Sequence, residues 1–303
     1  MDLLLFTRDK PMTMLRAEAE GFKLLESGDM GQFGLVKAAN ADNTAICDVD
    51  GDGRPELLLA DRNYVRAVRY ESNPPAGISP GWQVVEQINA DDSTSKLVSL
   101  ALLDNRIIVA DTQNDRLIIL ARGEGDGSGS KWREAESINV QGFSFSAIHA
   151  CGLSGDNQDN ILAVGNDGFG LIRLAGRGLS LSEFASWRTN NEHRRQHELV
   201  TGDINGDGFV DLVSLDAGEQ MCEIFTLSET GRLLYVTGFQ VFESKMFSGG
   251  DAVQYEPSEA IIDDITGDGA ADLLLLSHDR VLIYPQATPG GPQVRGGQSL
   301  NSD

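Results

Sequence analysis

The chain has 303 residues, 41% of them hydrophobic, with 46 acidic against 24 basic side chains and a formal net charge of −22 at pH 7. That excess repels nucleic-acid phosphates and anionic membrane surfaces in the absence of a basic patch, and no apolar stretch is long enough to span a bilayer. Cys47, Cys151 and Cys222 are isolated on apolar segments, which is neither a disulfide framework nor a zinc-ligand spacing, so buried thiols are expected.

Short apolar runs recur along the chain at a period of about fifty residues, and such a period is the mark of stacked units that cannot bury their own faces alone. The first set lies at 3–6, 12–15 and 22–25. The next opens at 45–47 and continues at 57–60, 65–70 and 82–88. Two further sets follow, at 97–103, 107–110, 116–120 and 132–140, then at 147–153, 161–164, 171–174 and 184–187. The fifth lies at 199–202, 212–215, 223–227 and 233–242, and the last at 260–263, 273–276 and 281–284. Runs of this length bounded by Gly, Asn and Asp read as strands. Four such strands make one propeller blade.

Three of the sets carry a loop between their first and second runs. These loops read Asp48-Val-Asp-Gly-Asp-Gly-Arg-Pro-Glu56, Asp203-Ile-Asn-Gly-Asp-Gly-Phe-Val-Asp211 and Asp264-Ile-Thr-Gly-Asp-Gly-Ala-Ala-Asp272. Oxygen-bearing side chains fall at positions 1, 3, 5 and 9, which suits a hard cation that takes six to eight oxygens, and the glycines at 4 and 6 let the backbone bend inward. The ligand sets are Asp48, Asp50, Asp52, Arg54 and Glu56; Asp203, Asn205, Asp207, Phe209 and Asp211; and Asp264, Thr266, Asp268, Ala270 and Asp272, with position 7 acting through its backbone carbonyl. Thr266 is a neutral ligand, so the third loop should bind more weakly. An EF-hand would place Glu at position 12 and continue as a helix, whereas Leu59, Ser214 and Leu275 stand there and apolar runs follow.

The pattern of three acidic Gly-Asp-Gly loops, each closed by an acid that opens an apolar strand, resembles the FG-GAP or VCBS repeat family, over most of the chain. The resemblance implies an all-β fold, a β-propeller of six or seven four-stranded blades over residues 1–285, with two or three calcium ions and an extracellular, periplasmic or cell-surface setting. The ends of the repeat array are incomplete: either an inner strand precedes Met1 in a longer chain, or the two ends complete one another. Two places where a loop should stand have decayed, at 152–160, which keeps Asp156 and ends at Asn160, and at 103–106. No tight metal is expected at either.

The remaining features are weaker. Residues 286–303 are rich in Pro and Gly and read as a flexible tail, and 123–130 reads as a mobile loop. His193-Arg-Arg-Gln-His197 lacks the Glu of a zinc-protease helix and reads as an exposed loop whose cations mark a candidate partner contact. Trp82, Trp132 and Trp187 fall on outer strands and are expected to pack between blades. No nucleophile elbow, phosphate loop or carboxylate pair separates itself from the background. The expected function is a non-catalytic binding module for a protein or glycan. The alternatives are a polysaccharide lyase or hydrolase on the same scaffold, and a scaffold segment of a larger surface protein.

Overall fold

The computed structural model describes the chain except residues 1, 8–9, 19–20, 75–76, 78, 104, 124–130, 141–143, 155–157, 166–167, 176–179, 189–192, 228–232, 242–255, 278–279 and 287–303. The loop expected at 123–130 beyond Gly123 and the tail beyond Gln286 lie outside the described residues.

The fold is all-β, and the described residues form six sheets built from 22 strands. Among the described residues the one helical segment is a short 3-10 turn at Phe33–Leu35. Sheet 1 holds β1 (Asp2–Leu5), β2 (Thr13–Glu18) and β3 (Gly21–Leu25). Sheet 2 holds β4 (Thr44–Cys47), β5 (Glu56–Asp61), β6 (Tyr64–Glu71) and β7 (Gly81–Asn89). Sheet 3 holds β8 (Leu97–Leu103), β9 (Arg106–Asp111), β10 (Arg116–Arg122) and β11 (Trp132–Asn139). Sheet 4 holds β12 (Ala147–Ser154), β13 (Gln158–Gly165), β14 (Gly168–Ala175) and β15 (Ser180–Arg188). Sheet 5 holds β16 (Gln196–Gly202), β17 (Asp211–Asp216), β18 (Met221–Leu227) and β19 (Leu233–Gln240). Sheet 6 holds β20 (Glu259–Asp263), β21 (Asp272–Ser277) and β22 (Arg280–Tyr284).

Within each sheet the strands follow one another in chain order, and the ladders of sheets 1, 2, 3, 5 and 6 are antiparallel. Leu57 faces Val68 and Asp61 faces Tyr64 across a tight turn. The outermost ladders of sheets 2, 3 and 5 each slip once in mid-strand, at Ala67/Val68, Ile119/Leu120 and Ile224/Phe225. A bulge at the same place in three repeats gives each outer strand the same added twist.

Strands β5, β9 and β10 read as near-continuous apolar runs because they are buried on both faces. In β5, Leu57 joins a cluster with Met12, Met14, Leu25 and Trp82, while its neighbours Leu58 and Ala60 turn the other way, onto Leu100 and Val109. In β9 the same alternation sends Ile107 and Val109 to that second cluster and Ile108 and Ala110 to a third, with Leu117, Ile148 and Ile161. Each fully buried Leu or Ile contributes about 1.5 to 3 kcal/mol. These clusters belong to one compact unit, Met1–Cys151 with Ile161–Gly165 and Gly170–Phe184. A second unit, Gly152–Asn160 with Asn166–Phe169 and Ala185–Asp303, has its own core, in which Val213, Leu215 and Cys222 meet Ala260, Leu273 and Leu275.

Candidate metal centres

The three Gly-Asp-Gly loops share one core of local hydrogen bonds. Asp48 at position 1 accepts the Gly51 N–H on Oδ1 at 2.7 Å and the Gly53 N–H on Oδ2 at 2.9 Å. Asp203 accepts from Gly206 and Gly208 at the same two distances, and so does Asp264 from Gly267 and Gly269. The glycine backbones lie in the left-handed region, with φ of +71° at Gly206 and +86° at Gly208, where a Cβ is costly. Position 5 then accepts the N–H of position 7 in every loop: Asp52 from Arg54, Asp207 from Phe209 and Asp268 from Ala270. Position 9 reaches back to the N–H of position 2: Glu56 to Val49, Asp211 to Ile204 and Asp272 to Ile265. The turn is thereby set by hydrogen bonds of its own.

Burial raises the pKa of Asp48, but the Gly53 and Gly51 N–H groups outweigh it and hold the carboxyl below the ordinary range. Asp52 is lowered in the same way against desolvation, by the Arg54 N–H and by Arg69. Position 9 is the buried member of each set: Glu56 and Asp272 are fully buried and Asp211 nearly so.

The three position-9 acids differ in what completes them. In the second loop Asp211 Oδ2 accepts the Ile204 N–H at 3.1 Å, whereas its buried Oδ1 has no hydrogen-bond partner. Desolvation raises the pKa of this group, and the charges of Asp207 and Asp203 add to the rise; Thr226 and the Ile204 N–H offset it in part, although no donor reaches Oδ1 in bonding geometry. A buried carboxylate oxygen without a bonded donor, within the field of two further acids, fits a cation. In the third loop Asp272 Oδ2 also accepts the Thr266 N–H at 2.8 Å, and Oδ1 accepts the Gln286 N–H at 2.9 Å. Its pKa is lowered, first by the Gln286 N–H. The donor set of this loop, two exposed aspartates and a threonine hydroxyl above a buried aspartate, also suits calcium.

In the first loop Asp48, Asp50 and Glu56 bring carboxylate oxygens to within 4.8 Å of one another. Here a side chain already stands among the ligands. Arg69 on β6 donates Nη1 to Asp52 Oδ2 at 2.9 Å and Nη2 to Asp52 Oδ1 at 3.1 Å. The same Nη2 donates to the Arg54 carbonyl at 3.0 Å and to Glu56 Oε1, and lies 3.6 Å from Asp50 Oδ2. Burial opposes the charge on Arg69, but Glu56 and Asp52 outweigh it and raise its pKa. The first loop as folded therefore does not fit a metal ion in addition. Sequence reading passed over Arg69, because its place depends on the β5–β6 register: counting outward from the Asp61–Tyr64 pair carries Glu56 to the level of Arg69.

The neighbouring sheet holds this loop from outside. Trp132 donates its indole N–H to the Val49 carbonyl at 3.0 Å, and Arg122 donates to the Asp48 carbonyl at 3.1 Å while lying over the Trp132 ring. Trp82 and Trp132 are buried, as expected for outer-strand aromatics. The side chain of Trp187 lies outside the described residues.

At 103–106, where a lost loop is expected from the sequence, Leu103 pairs with Arg106 in the β8–β9 ladder. In the other decayed repeat Asn160 is buried, and 155–157 lie outside the described residues. The His193–His197 stretch departs from the exposed loop expected. His193 is exposed, but His197 belongs to β16 and its Nε2 meets the Pro257 carbonyl at 2.7 Å. Arg194 pairs with Glu223 and lies 3.7 Å from Asp216, so this cation is spent inside the sheet. The three cysteines form no disulfide. Among the described residues no helix is long and apolar enough to cross a membrane.

No family model matches the chain, and no curated protein does. Among solved structures, a protein from Lactobacillus plantarum superposes with a TM-score of 0.54 at 9% identity, over 96% of this chain and 79% of that one. A protein provisionally named a 6-phosphogluconolactonase, from Bacteroides uniformis, gives a TM-score of 0.46 at 13% identity, over 76% of this chain and 65% of that one. At these identities the first likeness concerns the fold alone.

Proposed function

We propose that the six sheets are blades of a calcium-stabilised, non-catalytic β-propeller of the FG-GAP or VCBS kind, which presents its loops to a protein or glycan outside the cell or at its surface. The observation that carries the calcium reading is Asp211, whose buried Oδ1 lacks a partner in a turn that Asp203 folds by accepting the Gly206 and Gly208 N–H groups. In the second loop Asp203, Asn205, Asp207, Asp211 and the Phe209 carbonyl would hold the ion; in the third, Asp264, Thr266, Asp268, Asp272 and the Ala270 carbonyl. Calcium there supplies a divalent charge that cancels carboxylate repulsion and ties the first strand of a sheet to the second. The acids are spent on loop structure, which leaves the loops between strands as the variable, ligand-facing parts.

The test is calcium titration calorimetry joined to thermal unfolding with calcium and with excess chelator. Binding of two to three ions per chain, with an unfolding temperature that rises with calcium, supports the reading. Occupancy at a hundredfold excess over Kd stabilises by about 2.7 kcal/mol per ion. Absence of uptake together with an unchanged unfolding temperature refutes it. Screening calcium-loaded protein against protein and glycan libraries tests the recognition role, and turnover of an acidic polysaccharide would overturn the non-catalytic assignment.

A further inference from the structure

We infer that Arg69 is the first loop's own cation: its guanidinium takes the place of a metal among Asp50, Asp52, Glu56 and the Arg54 carbonyl, so that calcium enters the second and third loops alone. The inference rests on the calcium reading of those two loops and narrows its count to two ions.

Four of the five ligand positions of a calcium loop, positions 3, 5, 7 and 9, are met by this one side chain. The guanidinium carries a fork of donors, so it can bond a bidentate carboxylate and a carbonyl at once, as an ammonium cannot. It stays charged at every working pH. Being part of the chain, it is also present at an effective concentration that dilute calcium must overcome. Its side chain is 14% exposed, so displacement would have to move a largely packed group.

The other two loops lack this device at the equivalent place. Across the ladder from Asp211 stands Thr226. Beside Asp272 the chain has passed Tyr284 and supplies the Gln286 N–H. The first loop is also the one closed by Glu, whose extra methylene carries the carboxylate to Arg69. Where the arginine is present the position-9 acid is bonded, and where Thr226 replaces it an oxygen of that acid is orphaned.

The experiment compares wild type, Arg69→Met and Arg69→Lys by calcium calorimetry, with circular dichroism to verify the fold. The expected stoichiometries are two ions for wild type and three for Arg69→Met. Arg69→Lys, whose ammonium keeps the charge but cannot bond the carboxylate fork and the carbonyl together, is expected to take a third ion more weakly than Arg69→Met. Terbium adds a site-specific signal, because Trp132 lies against this loop: Arg69→Met should gain tryptophan-sensitised emission that disappears when Trp132→Phe is added. Should Arg69→Met fold only when calcium is supplied, the exchange of one cation for another is shown directly. A wild type that takes three ions, with one lost on Asp48→Asn, overturns the inference while leaving the calcium reading intact. A folded Arg69→Met that still takes two, or an Arg69→Met that millimolar calcium cannot fold, overturns it as well. Uptake of no ions by either wild type or Arg69→Met refutes the calcium reading itself.

Discussion

Asp111, the last residue of β9, should be worth about 2 to 3 kcal/mol to the unit that contains it. Its fully buried carboxylate is saturated with donors. Oδ1 accepts the Lys96 N–H at 2.9 Å and the Gln113 N–H at 3.2 Å. Oδ2 accepts the Ser95 hydroxyl and the Asn114 amide, both at 2.8 Å, and Arg116 Nε at 3.0 Å. Burial alone would raise the pKa, but these donors, Asn114 first, pull it down from 3.8 to about 2. A fall of that size corresponds to about 2 kcal/mol of stability at neutral pH. Asp111→Asn keeps the shape and leaves an amide N–H₂ facing three donors, which costs a further fraction of that amount. The assay is urea unfolding followed by the fluorescence of Trp82 and Trp132, in chelator so that metal plays no part. Because the folded pKa is depressed, the stabilisation is complete above the unfolded value of 3.8 and is lost as pH falls toward about 2. The gap between wild type and variant should therefore close over that interval. A gap of under about 0.5 kcal/mol at pH 7, or one that persists undiminished at pH 2, would refute the reasoning.

Two other measurements probe separate parts of the molecule. Burial pushes the Cys222 thiol up to about 12, so a thiol reagent at pH 8 should leave it unlabelled until the chain is unfolded; rapid native labelling at that residue would show that its site is open. Trp132→Phe should destabilise the first loop by about 1 to 2 kcal/mol, because the buried Val49 carbonyl loses its partner; unfolding in urea unchanged from wild type would mean that the hydrogen bond contributes nothing.

The strands were legible where they are buried on both sides, as β5, β9 and β10 are, because such strands are written as apolar runs that stop at turn residues. The run at 97–103 coincides with β8, and 116–120 needs extending by only two residues to become β10. The acidic Gly-Asp-Gly loops were legible as turns for a similar reason: the wiring of Asp48 to Gly51 and Gly53 is local, and spacing alone displays it. What escaped is long-range. Arg69 lies on the far arm of a hairpin, and its meeting with Glu56 is a property of register. Asp111 looks like any aspartate before a turn, since three of its partners, Asn114, Arg116 and Gln113, are near in sequence but Ser95 and Lys96 come from the preceding connection. His197 escapes for the same reason, since its place in β16 and its contact with the Pro257 carbonyl depend on a segment sixty residues away.

The succession of strands within each sheet has a bearing on how the chain acquires its structure. Every ladder joins a segment to the one just before it, so sheet 2, for instance, is finished once Asn89 has been reached. The entropy of closing such short loops is modest and grows only slowly with length. A β protein of this size would ordinarily be slowed by distant pairings. Here the strands of each sheet can pair in chain order as the polypeptide leaves the ribosome, without waiting for distant segments.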